Sequence, residues 1–247
     1  MSIPTIATPT YEIKLSTQSK PVKYRPYLVK EEKLLLMAQE GGDEKEIELA
    51  MKNIVRVCTF GAIDPDAIPS FDLEFLFLNL RAKSVNNIVT LRYECKNVPE
   101  GQLPLEGNDQ ICHNMEKIEV NLDTIKVTTP PEHTRKVMLT DTLGCMMRYP
   151  TDKHIQVFKE GGESDPVQMI ADCIESIFET NGTIYESKDI APEELITFVE
   201  SLSLTQVTQF RAFFDTLPRL EHRFQFKCSK CGYTEDIVLR GLLDFFG

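Results

Sequence analysis

The sequence predicts an α+β protein, because the spacing of apolar residues changes from helical to strand-like and back along the chain. From Ile47 to Cys58 the apolar positions follow the i, i+3, i+4 rule of a helix with one buried face. From Asn87 to Cys95 they alternate, as in a half-buried strand. Helical spacing returns near Met169, and alternation follows Pro218. We therefore expect N-terminal and C-terminal helical segments around a small antiparallel β subdomain.

The same pattern predicts four regions. Residues 1–24 contain three prolines among many polar residues, which favours an extended N-terminal arm. Residues 25–84 form an N-terminal helical region, and residues 151–218 form a second one. Residues 85–150 together with 219–247 form the β subdomain, which carries two pairs of cysteines.

Three helices are predicted in the N-terminal region. The first begins near Leu28 and ends at the Gly41-Gly42 pair. Asp43 opens the second, with Glu46 at capping-box spacing. Ser70 caps a third helix that is apolar on nearly every side, so it is expected to lie within the core or against a partner.

The remaining elements follow from the same rules. Met169 to Phe178 carry a helical apolar stripe that includes Cys173, which we interpret as a core residue. Further helices begin at Pro192 and at the Ser203/Gln206 capping box. The predicted strands are Ile88–Glu94, Lys117–Asp123, Ile125–Thr128, Lys136–Leu139, Gly144–Tyr149, and one run on each side of Cys228 and Cys231.

Four of the five cysteines in the predicted β subdomain indicate a structural zinc site. Cys228 and Cys231 are separated by two residues and followed by glycine, the spacing of a zinc knuckle. A tetrahedral site needs two more ligands, and Cys95 and Cys112 lie at the ends of two strands expected to pair. The fold prediction therefore includes a zinc-ribbon-like site of four cysteines that leaves no position for water or substrate.

Other interpretations of these cysteines stay open. Cys95 and Cys112 could be ordinary buried thiols, with Cys228 and Cys231 a free surface pair. His113 could replace Cys112 as a ligand, although a solvated loop histidine is the simpler interpretation. A thioredoxin-type redox pair is disfavoured, because that motif opens a helix whereas strands flank this one.

Composition narrows the classes of function that this chain can have. The net charge of −11 argues against a protein that binds nucleic-acid phosphates and favours basic partner surfaces. No apolar run is long enough to span a bilayer, and no signal-peptide pattern begins the chain, so we expect a cytoplasmic protein without membrane contact. Seven cysteines in such a chain favour metal binding and plain burial over disulfides.

No catalytic motif was found. The sequence has no phosphate-binding glycine loop, no HExxH and no GxSxG, and its four histidines have no metal or nucleophile spacing. We therefore predict a protein that is not an enzyme. The alternatives are a zinc-ribbon nucleic-acid-binding or regulatory module, and a hydrolase whose carboxylates meet only in three dimensions.

Several stretches together resemble the baseplate hub assembly proteins of T4-like contractile-tailed bacteriophages. The stretches are Arg25–Ala38, Leu80–Val85, Lys136–Asp141 leading to Arg148–Pro150, and Cys228–Gly232 with the Leu-Leu-Asp-Phe-Phe tail. The resemblance implies a non-enzymatic assembly factor or minor hub component, which contacts other hub and tail proteins in the host cytoplasm or in the virion baseplate.

The segment from Arg25 to Lys33 is a predicted docking surface for such partners. Arginine and tyrosine are enriched at interface hot spots, which points to Arg25 and Tyr27, and we include Lys30 as the third partner-binding residue.

Overall fold

The computed structural model describes residues 6–98, 111–151 and 166–246, and it confirms an α+β protein with small antiparallel sheets. In chain order the elements are β1 (Tyr11–Ile13), β2 (Val22–Tyr24), α1 (Val29–Gly41), α2 (Glu44–Cys58), α3 (Ser70–Ser84), β3 (Ile88–Glu94), β4 (Met115–Asn121), β5 (Lys126–Thr128), β6 (Lys136–Met138), β7 (Leu143–Met147), α4 (Pro166–Cys173), β8 (Ile174–Glu179), β9 (Ile184–Glu186), α5 (Pro192–Glu200), α6 (Leu204–Asp215), β10 (Arg219–Lys227), β11 (Thr234–Arg240) and α7 (Leu243–Phe246).

The chain divides into two compact units. The first unit comprises Met1–Ile63, Leu73–Val127 and Arg219–Gly247, and the second comprises Asp64–Asp72 and Thr128–Pro218. The predicted β subdomain is therefore divided between the units: β3, β4, β10 and β11 lie in the first, whereas β6 and β7 lie in the second. The physical reason is strand pairing, because β7 pairs with β8 rather than with the strands that carry the cysteines.

The first unit contains three small sheets. In the first sheet β1 pairs with β2, so the predicted extended arm includes a short hairpin. In the second, β3 pairs with β4 antiparallel, with Leu91 opposite Ile118. In the third, β10 lies between β11 and β5.

Two helix ends of the first unit agree with their predicted capping signals. Gly42 follows α1 with a φ of 70°, a left-handed conformation that glycine adopts without a steric penalty. The carboxylate of Asp43 accepts a hydrogen bond from Lys45 N at 2.9 Å at the start of α2. α3, which belongs to the first unit from Leu73 onward, buries apolar side chains on several sides, as predicted; in this unit these are Leu73, Leu76, Phe77, Leu78 and Leu80.

The apolar tail of the chain packs within the first unit. Phe245 is only 1% exposed, and Leu242 is buried as well. Asp244 accepts a hydrogen bond from Arg240 N at 2.6 Å, which fixes α7 to the end of β11. The fold therefore buries Leu242 and Phe245 of the tail.

The second unit is a four-stranded antiparallel sheet with helices. The strand order is β6-β7-β8-β9, and its core includes Cys145, Met147, Ile174, Val199 and Phe210. Cys173 is a core residue, as expected. The Ser203/Gln206 capping box opens α6, also as expected.

One helix prediction in the second unit is wrong in its second half. The stripe from Met169 to Phe178 was expected to be one helix, but the helix ends at Cys173 and β8 begins at Ile174. Ile174, Ile177 and Phe178 suit a strand as well as a helix, because β-branched and aromatic side chains pack well on sheets. β8 pairs with β7 and β9, and the backbone hydrogen bonds of this pairing favour the strand over the helix.

Among the described residues, none of the helices combines the length and the apolar character needed to cross a bilayer.

Candidate metal centre

The first pair of cysteines lies where β3 and β4 end. Cys95 N donates a hydrogen bond to Asn114 O at 2.9 Å, and His113 N donates to Cys95 O at 3.1 Å. Cys112 N donates to Asn97 O at 2.9 Å. These bonds continue the ladder beyond the strands, so the sixteen residues between the two cysteines do not separate them in space.

The second pair lies in the turn between β10 and β11. Cys228 N donates to Tyr233 O at 2.8 Å, and Gly232 N donates back to Cys228 O at 3.0 Å. Gly232 has a φ of 74°, which favours glycine at this position. The tight turn directs Cys228 and Cys231 toward the first pair.

The four sulfur atoms form one compact cluster. The Sγ atoms of Cys95, Cys112, Cys228 and Cys231 all lie within 4.8 Å of one another. Cys95 Sγ lies 3.7 Å from Cys231 Sγ, and Cys112 Sγ lies 3.8 Å from Cys228 Sγ. A disulfide needs sulfur atoms about 2.05 Å apart, so these are four free thiols.

The sulfur geometry fits a tetrahedral metal ion. A metal–sulfur bond of about 2.3 Å, as zinc makes, gives a tetrahedron with sulfur–sulfur edges of about 3.8 Å. The Cys95–Cys231 distance of 3.7 Å and the Cys112–Cys228 distance of 3.8 Å match this edge. Cys95, Cys112 and Cys228 are buried and Cys231 is half-buried. The four residues could therefore hold one metal ion with little exposure to water.

Hydrogen bonds make Cys228 the most acidic of the shifted thiols. Burial raises the pKa of Cys95 to about 12 and also raises the pKa of Cys112. Burial acts in the same direction on Cys228, but hydrogen bonds from the backbone N–H groups of Cys231 and Lys230 outweigh it and lower the pKa of Cys228 to about 6. Metal binding needs thiolates, so Cys228 can supply one near neutral pH.

Two asparagines near the sulfur atoms were not singled out from the sequence. Asn114 Nδ2 lies 3.5 Å from Cys228 Sγ and also donates to Glu116 Oε1 at 2.7 Å. Asn97 Nδ2 lies 3.8 Å from Cys231 Sγ. Such donors stabilise negative charge on sulfur. Their closeness to Cys112 and Cys95 in sequence was the available signal, but asparagine in a polar loop is too common to identify them.

His113 does not belong to the cluster. Its Nδ1 lies 2.5 Å from Glu94 Oε1, and its side chain is 44% exposed. The group of potential ligands in the described residues contains the four cysteines without His113. The ring therefore faces a carboxylate at the edge of the site.

The structure places the three expected partner-binding residues in different environments. Tyr27 is buried, and burial raises its pKa to about 12. The Arg25 side chain is 13% exposed and forms an ion pair of 3.1 Å with Glu31. Lys30 is 73% exposed. Arg25 and Tyr27 thus make intramolecular contacts, and of the three only Lys30 presents its side chain to solvent.

Glu31 explains why Arg25 is held inside. Its carboxylate accepts a hydrogen bond from Leu28 N at 2.6 Å, so it caps α1, and it accepts another from Arg25. Burial raises the pKa of Glu31, but the hydrogen bonds from Arg25 and Leu28 outweigh burial and the pKa is lowered. Arg25 therefore stabilises the start of α1.

The fold and the cluster define an α+β protein in which four thiols of two hairpins can bind one metal ion. A family model described as "T4 bacteriophage base plate protein" matches residues 8–247. The chain belongs to this family of T4-like phage baseplate proteins. No curated protein and no solved structure matches the chain significantly. Membership implies a virion component with a structural or assembly role, which contacts other baseplate and tail proteins.

Proposed function

We propose that this chain promotes assembly of the baseplate hub through protein–protein contacts, as an assembly factor or a minor hub component, and that it is not an enzyme. The observation that carries the proposal is the family match over residues 8–247. The partners are other hub and tail proteins, which the chain meets in the host cytoplasm during assembly. Neither nucleic acid nor membrane takes part.

The metal of the candidate centre is zinc in this proposal. Four thiolates in a tetrahedron suit zinc, which prefers sulfur and needs no particular electronic geometry. With Cys95, Cys112, Cys228 and Cys231 as ligands, no coordination position is left for water or substrate. Such a site stabilises the fold, which supports a structural role for the first unit.

The segment around Lys30 is our proposed docking surface. Lys30 is exposed at the first turn of α1, and Val29 beside it is 81% exposed. Arg25 and Tyr27 contribute indirectly, because their buried contacts position this turn. A partner that covers Lys30 would also remove an exposed apolar side chain from water.

A pull-down from infected cells tests the function and the docking surface together. The tagged chain is expected to recover baseplate hub proteins, and Lys30→Glu should reduce their recovery. Lys23→Glu is the matched control, because the Lys23 side chain is 70% exposed and lies near Glu12, just as Lys30 lies near Glu31. Recovery of no tail protein by the unmodified chain would contradict the proposed function. Equal recovery by both variants would contradict the docking surface alone.

A further inference from the structure

A groove of about 600 Å³ lies between the β3–β4 hairpin and the β10–β11 hairpin. Its apolar walls are formed by Leu91 and Ile118 on one side and by Phe224, Ile237 and Leu239 on the other. All of these residues belong to the first unit. The groove therefore separates the apolar faces of two hairpins.

Contacts close the groove at both ends. Near the cysteines, the ring of Tyr93 packs on Phe226 with 4.7 Å between ring centroids, and Tyr93 OH donates to Glu235 Oε2 at 3.0 Å. At the far end, α7 contacts both β3 and β11, and its Asp244 lines the groove. Between these contacts the groove is lined by Thr90, Leu91, Arg92 and Tyr93 of β3 and by Ile237, Val238 and Leu239 of β11.

Within the described residues, the edge of β3 that faces away from β4 makes no backbone hydrogen bond to another strand. Leu122 N bonds to Asn87 O, and Cys95 N bonds to Asn114 O. Because hydrogen-bonded and non-bonded pairs alternate in an antiparallel ladder, the N–H and C=O groups of Thr90 and Arg92 point away from β4. In the described part of the chain, β4 is the only strand that pairs with β3.

A two-stranded sheet is the least stable kind in water, and an exposed edge of this length invites pairing with a further strand. Thr90, Leu91, Arg92 and Tyr93 all line the groove, so the strand edge as well as its apolar face borders the open space. A segment that entered the groove in extended form would bond to Thr90 and Arg92 with its backbone. It would also place every second side chain between Leu91 and Ile237.

The charges on β3 and β4 indicate which segment fits. Arg92 lies directly opposite Lys117 on the exposed face of the hairpin. Neither side chain forms an ion pair within residues 6–98, 111–151 and 166–246. Like charges opposite each other destabilise a strand pair, and an acidic side chain on the next strand would relieve this repulsion.

We propose that the groove binds an extended segment of a partner protein, which adds to the free edge of β3 as a third strand. The segment alternates apolar and polar residues, with its apolar side chains in the groove and an aspartate or glutamate beside Arg92. A second copy of this chain paired about Arg92 would bring another Arg92 and Lys117 to the same row, whereas a partner segment can place its acidic residue there. The inference rests on the proposed function in that the partner is a baseplate or tail protein.

Peptide binding to the purified full-length protein tests the groove directly. The probe is a fluorescent nonapeptide of alternating threonine and valine with a central glutamate, and its counterpart has lysine at that position. The glutamate peptide should bind about threefold more tightly, and Arg92→Glu should reverse the preference. Binding of neither peptide, or an unchanged preference in Arg92→Glu, would overturn the proposal.

Proline substitutions test the strand edge. Thr90→Pro removes an N–H that points into the groove and should weaken binding of the glutamate peptide about tenfold. Glu119→Pro is the matched control, because its N–H points outward at the opposite edge of the hairpin, and peptide binding should not change. Equal binding by both variants, with circular dichroism confirming that both are folded, would contradict strand addition.

These measurements separate the groove from the baseplate role. Peptide binding is measured on the isolated protein, so its failure leaves the proposed function standing. Normal tail assembly in the chain's absence would reject the proposed function without changing the peptide result. Concentration-dependent dimers that Thr90→Pro abolishes would instead identify a second copy as the occupant and overturn the proposal.

Discussion

Replacement of Cys112 by serine is expected to release the metal and destabilise the first unit. Cys112 is buried, and its Sγ lies 3.8 Å from Cys228 Sγ, so its loss leaves three thiols around the site. A serine hydroxyl is a far weaker zinc ligand than a thiolate at neutral pH. We expect about one zinc per chain in the unmodified protein and well below one in Cys112→Ser after dialysis against a weak chelator.

The expected loss of stability follows from the length of chain between the cysteines that the metal connects. Cys95 and Cys231 are 136 residues apart in sequence, and they would be joined through the ion. Opening a loop of this length increases the entropy of the unfolded chain by an amount equivalent to about 5 kcal/mol at 25 °C, if a metal link acts as a disulfide does. For a chain of this size, the corresponding decrease in the melting temperature of the first unit is about 10–20 °C.

The assay combines metal analysis with thermal unfolding. Inductively coupled plasma mass spectrometry measures zinc and iron, and X-ray absorption should give a metal–sulfur distance of about 2.3 Å. Cys58→Ala is the matched control, because Cys58 is a fully buried cysteine of the same unit outside the cluster, and it should retain zinc. Zinc near zero in the unmodified protein, or a melting temperature that chelation does not change, would refute the reasoning.

Three further predictions concern the fold. Arg25→Ala should destabilise the first unit by about 2 kcal/mol in urea unfolding, because the buried Glu31 carboxylate loses its hydrogen bond from Arg25 and keeps the 3.5 Å ion pair with the exposed Lys30; a loss below about 0.5 kcal/mol would contradict this role. Burial lowers the pKa of His133, so below about pH 6.5 the unfolded state binds more protons than the folded state. The unfolding free energy should therefore fall as pH decreases from about 7.5 to 5.5, and an equally steep decrease in His133→Gln would count against this source. Phe245→Ala should cost about 4 kcal/mol, because the ring is 1% exposed; a cost as small as that of Leu204→Ala, at a site 86% exposed, would show that the tail is not part of the core.

The strand ends that carry the cysteines were predictable, and so was their convergence. Alternation placed Cys95 at the end of β3, and the glycine after Cys231 indicated the tight turn. The long spacer before Cys112 was harder to interpret. The sequence does not show that Cys112 N donates to Asn97 O and Cys95 N to Asn114 O, which brings the two cysteines together. Local pattern thus predicted the cluster, whereas the hydrogen bonds that shift the pKa of Cys228 required the structure.

Two other features depended on long-range contacts and could not be predicted locally. Ile174 and Ile177 have the spacing of a helix face, yet pairing with β7 places them in a strand. Arginine and tyrosine near α1 suggested an exposed binding surface, yet Glu31 holds Arg25 inside. Residue type indicates what a side chain can do, but burial and pairing decide whether it is available to a partner.

Electron microscopy of tails made without this chain tests the central claim most directly. Cells infected with phage that lack the gene should accumulate baseplate wedges or tail parts without complete hubs, and the chain supplied from a plasmid should restore complete baseplates. Complete, infective tails assembled in the chain's absence would contradict a role in hub assembly.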